Sequence, residues 1–167
     1  MITREQILER LHVDTEKGEV YWLQNHHAWV IGREASHPFS KGGKTGYHHV
    51  RWNGGWLKRA HIIFFIGHGR WPSKFTDHIN GVRSDDRLCN LREATRFQNA
   101  WNQAPHSKKS PYPPGVRRSA YGQFEARITH KRKCRSLGTF PTVEEAADAY
   151  IKARSELFGD FARVENA

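Results

Sequence analysis

The chain has 167 residues, enough for one ordinary domain or two small ones, and a formal charge of +10 that points to a polyanionic partner, nucleic acid before membrane. An aromatic share of 12% with six Trp excludes a disordered tail, and no apolar run approaches the ~20 residues of a membrane span. MITREQILERL lacks a signal-peptide core and Cys89 and Cys134 form no CxxC pair, so a cytoplasmic, reducing setting without a disulfide framework or cysteine zinc site is expected.

Thr3 to Leu11 reads as a short helix, with Thr3 capping, Gln6 completing the box, and Ile7, Leu8 and Leu11 sharing a face. A turn at Asp14 to Gly18 leads to a strand at Val20 to Leu23. Asn25 to Lys44 holds His26, His27 and His37 in no ligand spacing, so surface or core histidines are expected rather than a metal site. Gly46 to Trp52 and Trp56 to Arg59 predict a hairpin around Asn53-Gly54-Gly55. Ala60 to Gly67, AHIIFFIG, predicts a buried helix, with a buried strand as the alternative that periodicity leaves open.

The stretch TDHINGVRSDDRLCNLREATRFQNAWN, Thr76 to Asn102, carries the densest chemistry. An adjacent acid and base, Asp77-His78, precedes a turn at Asn80-Gly81, a polar loop from Val82 to Arg87, and a segment from Leu91 to Asn102 with helical character. Carboxylate and amide oxygens suit a hard divalent cation, and a neutral imidazole can take a proton from water. Such a trio fits metal-assisted phosphodiester cleavage. The plainer alternatives are a surface pair at Asp77-His78, a cap or turn at Asn90, a solvated acidic turn at Asp85-Asp86, and a surface position for Asn102.

Pro105 to Pro114, PHSKKSPYPP, reads as a semi-rigid linker. Beyond it, Val116 to Arg118, Gln123 to Thr129 and Cys134 to Leu137 predict three short strands, with a basic turn at His130 to Lys133. Thr142, with Glu145 completing a capping box, opens a helix whose Ala146, Ala149, Tyr150, Ala153 and Leu157 line one face before Gly159.

Gly46-Tyr47, Asn53-Gly54, Ala60-His61, Gly69-Arg70-Trp71-Pro72, Asp77-His78-Ile79-Asn80-Gly81, Arg87-Leu88, Asn90-Leu91-Arg92, Ala94-Thr95 and Asn99 together resemble phage and intron-type HNH endonucleases over residues 18–102. The resemblance implies a general base at His78, metal ligands at Asp77 and Asn99, and a loop-pinning amide at Asn90. It implies one Mg²⁺ (or Mn²⁺) per active site, which would neutralise charge on the scissile phosphate and leaving oxygen. Asp86 stands where that family usually has Asn. His61 is assigned either a packing role or a reach toward the site.

Gly115-Val116-Arg117-Arg118, Gly122, Leu137-Gly138-Thr139-Phe140, Thr142, Glu144-Glu145-Ala146-Ala147 and Ala149-Tyr150 resemble the Apetala-two/ethylene-response-factor DNA-binding domain. That resemblance implies a sheet lying in a DNA groove and backed by a helix. Tyr121, Arg127 and Ser136 depart from the family's usual residues, so the binding mode is carried over but the sequence preference is not. Arg117, Arg118, Tyr121, Arg127, Lys131, Arg132, Lys133 and Arg135 are the candidate DNA-binding residues.

The fold expected is α+β: a β-hairpin and ββα-metal HNH module over residues 1–104, with its core at about 57–102, a linker at 105–114, and a three-stranded antiparallel sheet packed on one helix over 115–167. The function expected is cleavage of double-stranded DNA, with no membrane partner, no small-molecule cofactor and the oligomeric state open. An inactive DNA-binding regulator and an RNA-binding protein are the two alternatives.

Overall fold

A computed structural model describes residues 2–24, 27–38, 46–102 and 110–162. The architecture is α+β, with small antiparallel sheets and four α-helices among the described residues. The chain divides into two compact units, residues 1–96 and 97–167.

In the first unit, α1 (Arg4–Arg10) has its capping box in place: Gln6 N donates to Thr3 Oγ1 at 3.3 Å and Thr3 N to Gln6 Oε1 at 3.1 Å. The chain passes directly into β1 (Leu11–Asp14), which pairs antiparallel with β2 (Glu19–Trp22). β3 (Ser36–Pro38), β4 (His48–Trp52) and β5 (Gly55–Lys58) form a three-stranded sheet in that order. The β4–β5 turn places Asn53 at φ 44° and Gly54 at φ 83°, the doubly left-handed geometry that an Asn-Gly pair tolerates.

The apolar run forms α2 (Arg59–His68), with Ile62 and Ile63 fully buried. Its apolar residues are spread around the helix, which fits a helix set into the core rather than lying on a surface. Ile7, Leu11, Val20, Val50, Trp52 and Leu91 complete the packing around it. Burying each aliphatic side chain contributes about 1.5–3 kcal/mol.

β6 (Phe75–His78) pairs antiparallel with β7 (Leu91–Ala94), putting His78 opposite Leu91 and Asp77 opposite Arg92. Helical character was expected from Leu91 onward, but helix begins only at α3 (Arg96–Asn102). The ladder to β6 satisfies the backbone of Leu91 to Ala94 and overrides the local helix preference of Leu, Arg, Glu and Ala.

In the second unit, β8 (Val116–Arg118), β9 (Phe124–His130) and β10 (Lys133–Phe140) make a sheet with β9 central. α4 (Val143–Phe158) packs on β9 and β10. Thr142 Oγ1 accepts from Glu145 N at 3.2 Å, which is the Thr half of the expected capping box. Ala126 and Ala146 are fully buried, as small residues allow where a helix lies close on a sheet. Tyr112, expected in the linker, packs edge-on against Phe124 with centroids 5.5 Å apart and so joins this core. Trp101 of α3 stacks on Phe158 at 4.9 Å, and its carbonyl accepts from the buried Arg154. Asn102, expected at the surface, is 4% exposed.

Candidate active site

Adjacent residues on a strand point to opposite faces, so Asp77 and His78 at the end of β6 meet different partners. Both are buried, at 4% and 5% exposure, rather than forming a surface pair. Arg92 Nε donates to Asp77 Oδ2 at 2.9 Å, across the β6–β7 ladder. His78 Nε2 lies 2.7 Å from Asp86 Oδ1.

Asp86 corrects one expectation. It is 2% exposed, not part of a solvated acidic turn. Its second oxygen, Oδ2, accepts from Arg59 Nε at 2.7 Å. Arg59, the first residue of α2 and itself 4% exposed, also donates from Nη1 to Glu34 Oε1 at 2.8 Å and Ser36 Oγ at 3.2 Å. Its Nη2 donates to Ser84 O at 2.8 Å. One guanidinium thus ties the start of α2, the approach to β3 and the 82–87 loop together beneath His78. A buried ion pair is tolerated only with such extra hydrogen bonds.

The loop between β6 and β7 is pinned by amides. Asn90 Oδ1 accepts from Asn80 N at 3.0 Å, and Asn90 Nδ2 donates to Asn80 Oδ1 at 3.0 Å and Asp85 O at 2.7 Å. Asp85 is gripped at its two oxygens by Arg87 Nε and Nη2, each at 2.7 Å. That grip, with an Asn80 hydrogen bond, holds the Asp85 carboxyl at about 2, well below the usual range. From the other side, the β1–β2 turn presses on this loop: Leu88 N donates to Thr15 O at 2.9 Å. A Cβ on Gly18, at φ +77°, would stand 2.5 Å from Arg87 N and 2.6 Å from Asp86 C. Gly18 is therefore needed both for its backbone conformation and for the close approach.

Tyr47 borders the imidazole, with ring centroids 5.9 Å apart. The Arg83 guanidinium lies 5.2 Å and the Lys58 ammonium 5.6 Å from the Tyr47 centroid, so two cations flank the ring beside His78. His61 on α2 is pushed down to about 4 by burial, with Lys58 and His49 adding to the shift, and is neutral at physiological pH. His37 pairs with His49 across β3 and β4, and His27 precedes a short 3₁₀ turn; His26 lies outside the described residues.

Asn99 lies on α3, partly exposed, and belongs to the second unit. Among the described residues no group of three or more His, Cys, Asp or Glu is arranged to hold a metal ion. Asp77 carries a carboxylate on the first unit and Asn99 an amide on the second, each a hard oxygen donor of the kind Mg²⁺ accepts.

On the second unit, cross-strand register places Arg117 opposite Glu125 and Arg127 opposite Ser136, on the sheet face away from the buried Ala126 and Ile128. Arg117 Nε donates to Glu125 Oε2 at 2.7 Å, which lowers the Glu125 carboxyl. Lys133 and Arg135 pair with His130 and Ile128, on the alternate set of β10 positions, and are exposed. Arg118 and Tyr121 are also exposed, Tyr121 at 93%. Lys131 and Arg132 form the β9–β10 tip with φ 49° and 64°, a left-handed turn without glycine that places two cations at its apex.

Residues 58–101 match the family model described as HNH endonuclease. An uncharacterized HNH endonuclease of Acanthamoeba polyphaga mimivirus is 33% identical over 122 residues, covering 72% of this chain and 63% of that protein. An ethylene-responsive transcription factor of Arabidopsis thaliana is 39% identical over 77 residues, covering 42% of this chain and 23% of that protein. The chain thus spans less than two thirds of the length of either relative. No solved structure matches the chain. No helix among the described residues is long and apolar enough to cross a membrane.

Proposed function

We propose that the protein is a metal-dependent HNH endonuclease of mobile-element or phage type that hydrolyses phosphodiester bonds of double-stranded DNA. The observation that carries this reading is the buried imidazole of His78, anchored by Asp86 within the stretch that matches the HNH endonuclease family. His78 acts as the general base: it accepts a proton from water, and the resulting hydroxide attacks the phosphorus. Asp77, oriented by Arg92, and Asn99 would hold one Mg²⁺ or Mn²⁺, which supplies charge neutralisation at the phosphate and the leaving oxygen. Asn90 keeps the intervening loop in place. Lys58 and Arg83, flanking Tyr47, favour an anionic substrate beside the base.

The second unit binds duplex DNA through its sheet and basic tip. The likeness to a plant transcription factor, Arg117 and Arg127 on the sheet face away from the buried Ala126 and Ile128, and the basic tip at Lys131 and Arg132 support this role. Residues 1–104 serve as the nuclease module and 115–167 as the targeting module, joined through 105–114. Tethering raises the local concentration of the nuclease at bound DNA. Incubation of supercoiled plasmid with Mg²⁺ tests the proposal: the wild type converts it to nicked or linear DNA and His78→Ala does not. Undiminished cleavage by the variant refutes the base assignment.

A further inference from the structure

A cleft of about 530 Å³ opens within the first unit, where three elements meet away from His78. Arg10 comes from the last turn of α1, Trp22 and Gln24 from the end of β2 and just beyond it, and Arg51, Trp52 and Asn53 from the end of β4 and its turn. A cavity of this size suits a small organic group rather than a lone ion. We propose that the cleft is a nucleotide-binding site, which takes one unpaired nucleotide of DNA with its nucleobase against Trp22 and its phosphate on Arg10 and Arg51. The site does not depend on the reading of His78 as general base.

The charge of the cleft selects an anion. Arg10 and Arg51 both line it, both are exposed, and neither has an ion-pair partner among the described residues. Arg10 is nevertheless held in place. Its Nη1 donates to Asn53 Oδ1 at 2.9 Å, and its guanidinium lies 5.3 Å from the centroid of the Trp52 ring. Its carbonyl accepts from Leu23 N at 2.8 Å and Gln24 N at 3.2 Å. The Arg51 guanidinium lies 5.1 Å from the Trp56 centroid. Two guanidiniums set over rings keep their remaining N–H donors for a phosphate and lose little freedom on binding one.

The rings select a nucleobase. Trp52 is 6% exposed and already carries Arg10, whereas the half-buried Trp22 has no ring or cation stacked on it among the described residues. An indole without a stacking partner in a cationic cleft is a platform for a nucleobase. Bases in a duplex cover one another's faces and offer only their edges, so a face-on contact requires a nucleotide out of the stack. Gln24 and the Asn53 amide nitrogen supply hydrogen-bonding groups for the edge of such a base. β4 also links the cleft to the active site: Tyr47, beside His78, precedes the strand, and Trp52 ends it about 17 Å further on. A DNA strand held at His78 therefore reaches the cleft within about five nucleotides.

The experiment is ¹H–¹⁵N NMR of the full chain, following the indole N–H signals of its six Trp, with that of Trp22 assigned by Trp22→Phe. The probes are deoxyadenosine monophosphate, inorganic phosphate and a blunt-ended DNA duplex. The nucleotide is expected to shift the Trp22 signal saturably, and Arg10→Gln and Arg51→Gln are each expected to weaken that binding by about tenfold. Phosphate alone is expected to bind weaker than the nucleotide by about tenfold or more. No shift with the nucleotide overturns the proposal, and so does equal affinity for phosphate, which would mark an anion site only. A Trp22 shift with the duplex but not with the nucleotide overturns the unpaired assignment. Unchanged affinity in both arginine variants overturns the phosphate contact. Should a variant fail to fold, the comparison of nucleotide with phosphate on the wild type decides. None of these readouts uses cleavage, so failure of the general-base assignment shows separately, as cleavage by His78→Ala.

Discussion

Arg59 and Asp86 meet at 2.7 Å with 4% and 2% of their surfaces exposed, a buried ion pair joining the first residue of α2 to the loop under His78. Removing one partner of such a pair leaves the other charge buried and uncompensated. Arg59→Met is therefore expected to destabilise the first unit by about 3–5 kcal/mol, read by urea unfolding. A change below about 1 kcal/mol would mean that the pair is not desolvated.

Gly18 supports the same loop from the opposite side. At φ +77°, and with a Cβ that would stand 2.5 Å from Arg87 N, Gly18→Ala combines backbone strain with displacement of the Asp86 backbone. The expected cost is about 1–3 kcal/mol in an unfolding curve, with a loss of plasmid cleavage. Unchanged stability and cleavage would show that the turn does not buttress the site.

Acid sensitivity follows from two paired carboxylates. Arg87 holds Asp85 at about 2, and Arg70, with Ser73, holds Glu93 at about 2, each below its ordinary value. Both folded values are depressed, so the stability they contribute is present above the ordinary carboxylate range and is lost as pH falls toward 2. Melting temperature should therefore drop between about pH 5 and pH 2 more in the wild type than in an Arg70→Met/Arg87→Met variant. Equal drops would contradict the pairing.

The basic tip of the second unit makes a prediction about salt. Neutralising Lys131 and Arg132 to Ala should weaken duplex binding and flatten the plot of log affinity against log salt by about 1 to 2 in slope. Filter binding or fluorescence anisotropy across salt concentrations reads both quantities. An unchanged slope would remove the tip from the interface.

Much of this arrangement is legible in the chain itself. The capped α1, the Asn53-Gly54 hairpin and the order of three strands and a helix from Val116 to Phe158 follow from local signals of capping, turn chemistry and periodicity, whereas periodicity leaves the buried run of α2 open between helix and strand. Asp77-His78 stands out because its neighbours form a long motif. Two features are hidden. Leu91 to Ala94 is rich in helix formers, and only its pairing with Phe75 to His78 makes it a strand. Asp86 sits in a run of polar residues that reads as solvent-facing, and its partner Arg59 lies 27 positions away. A signal was nevertheless present: an arginine opening a mostly apolar helix requires a buried acceptor.

The central claim is that His78 removes the proton from the attacking water, and single-turnover cleavage of a duplex bearing a mapped site tests it most directly. With Mg²⁺ saturating, His78→Ala should cleave slower than the wild type by about 100-fold or more while binding the duplex equally well. A rate within about threefold of the wild type, at equal binding, would contradict the account.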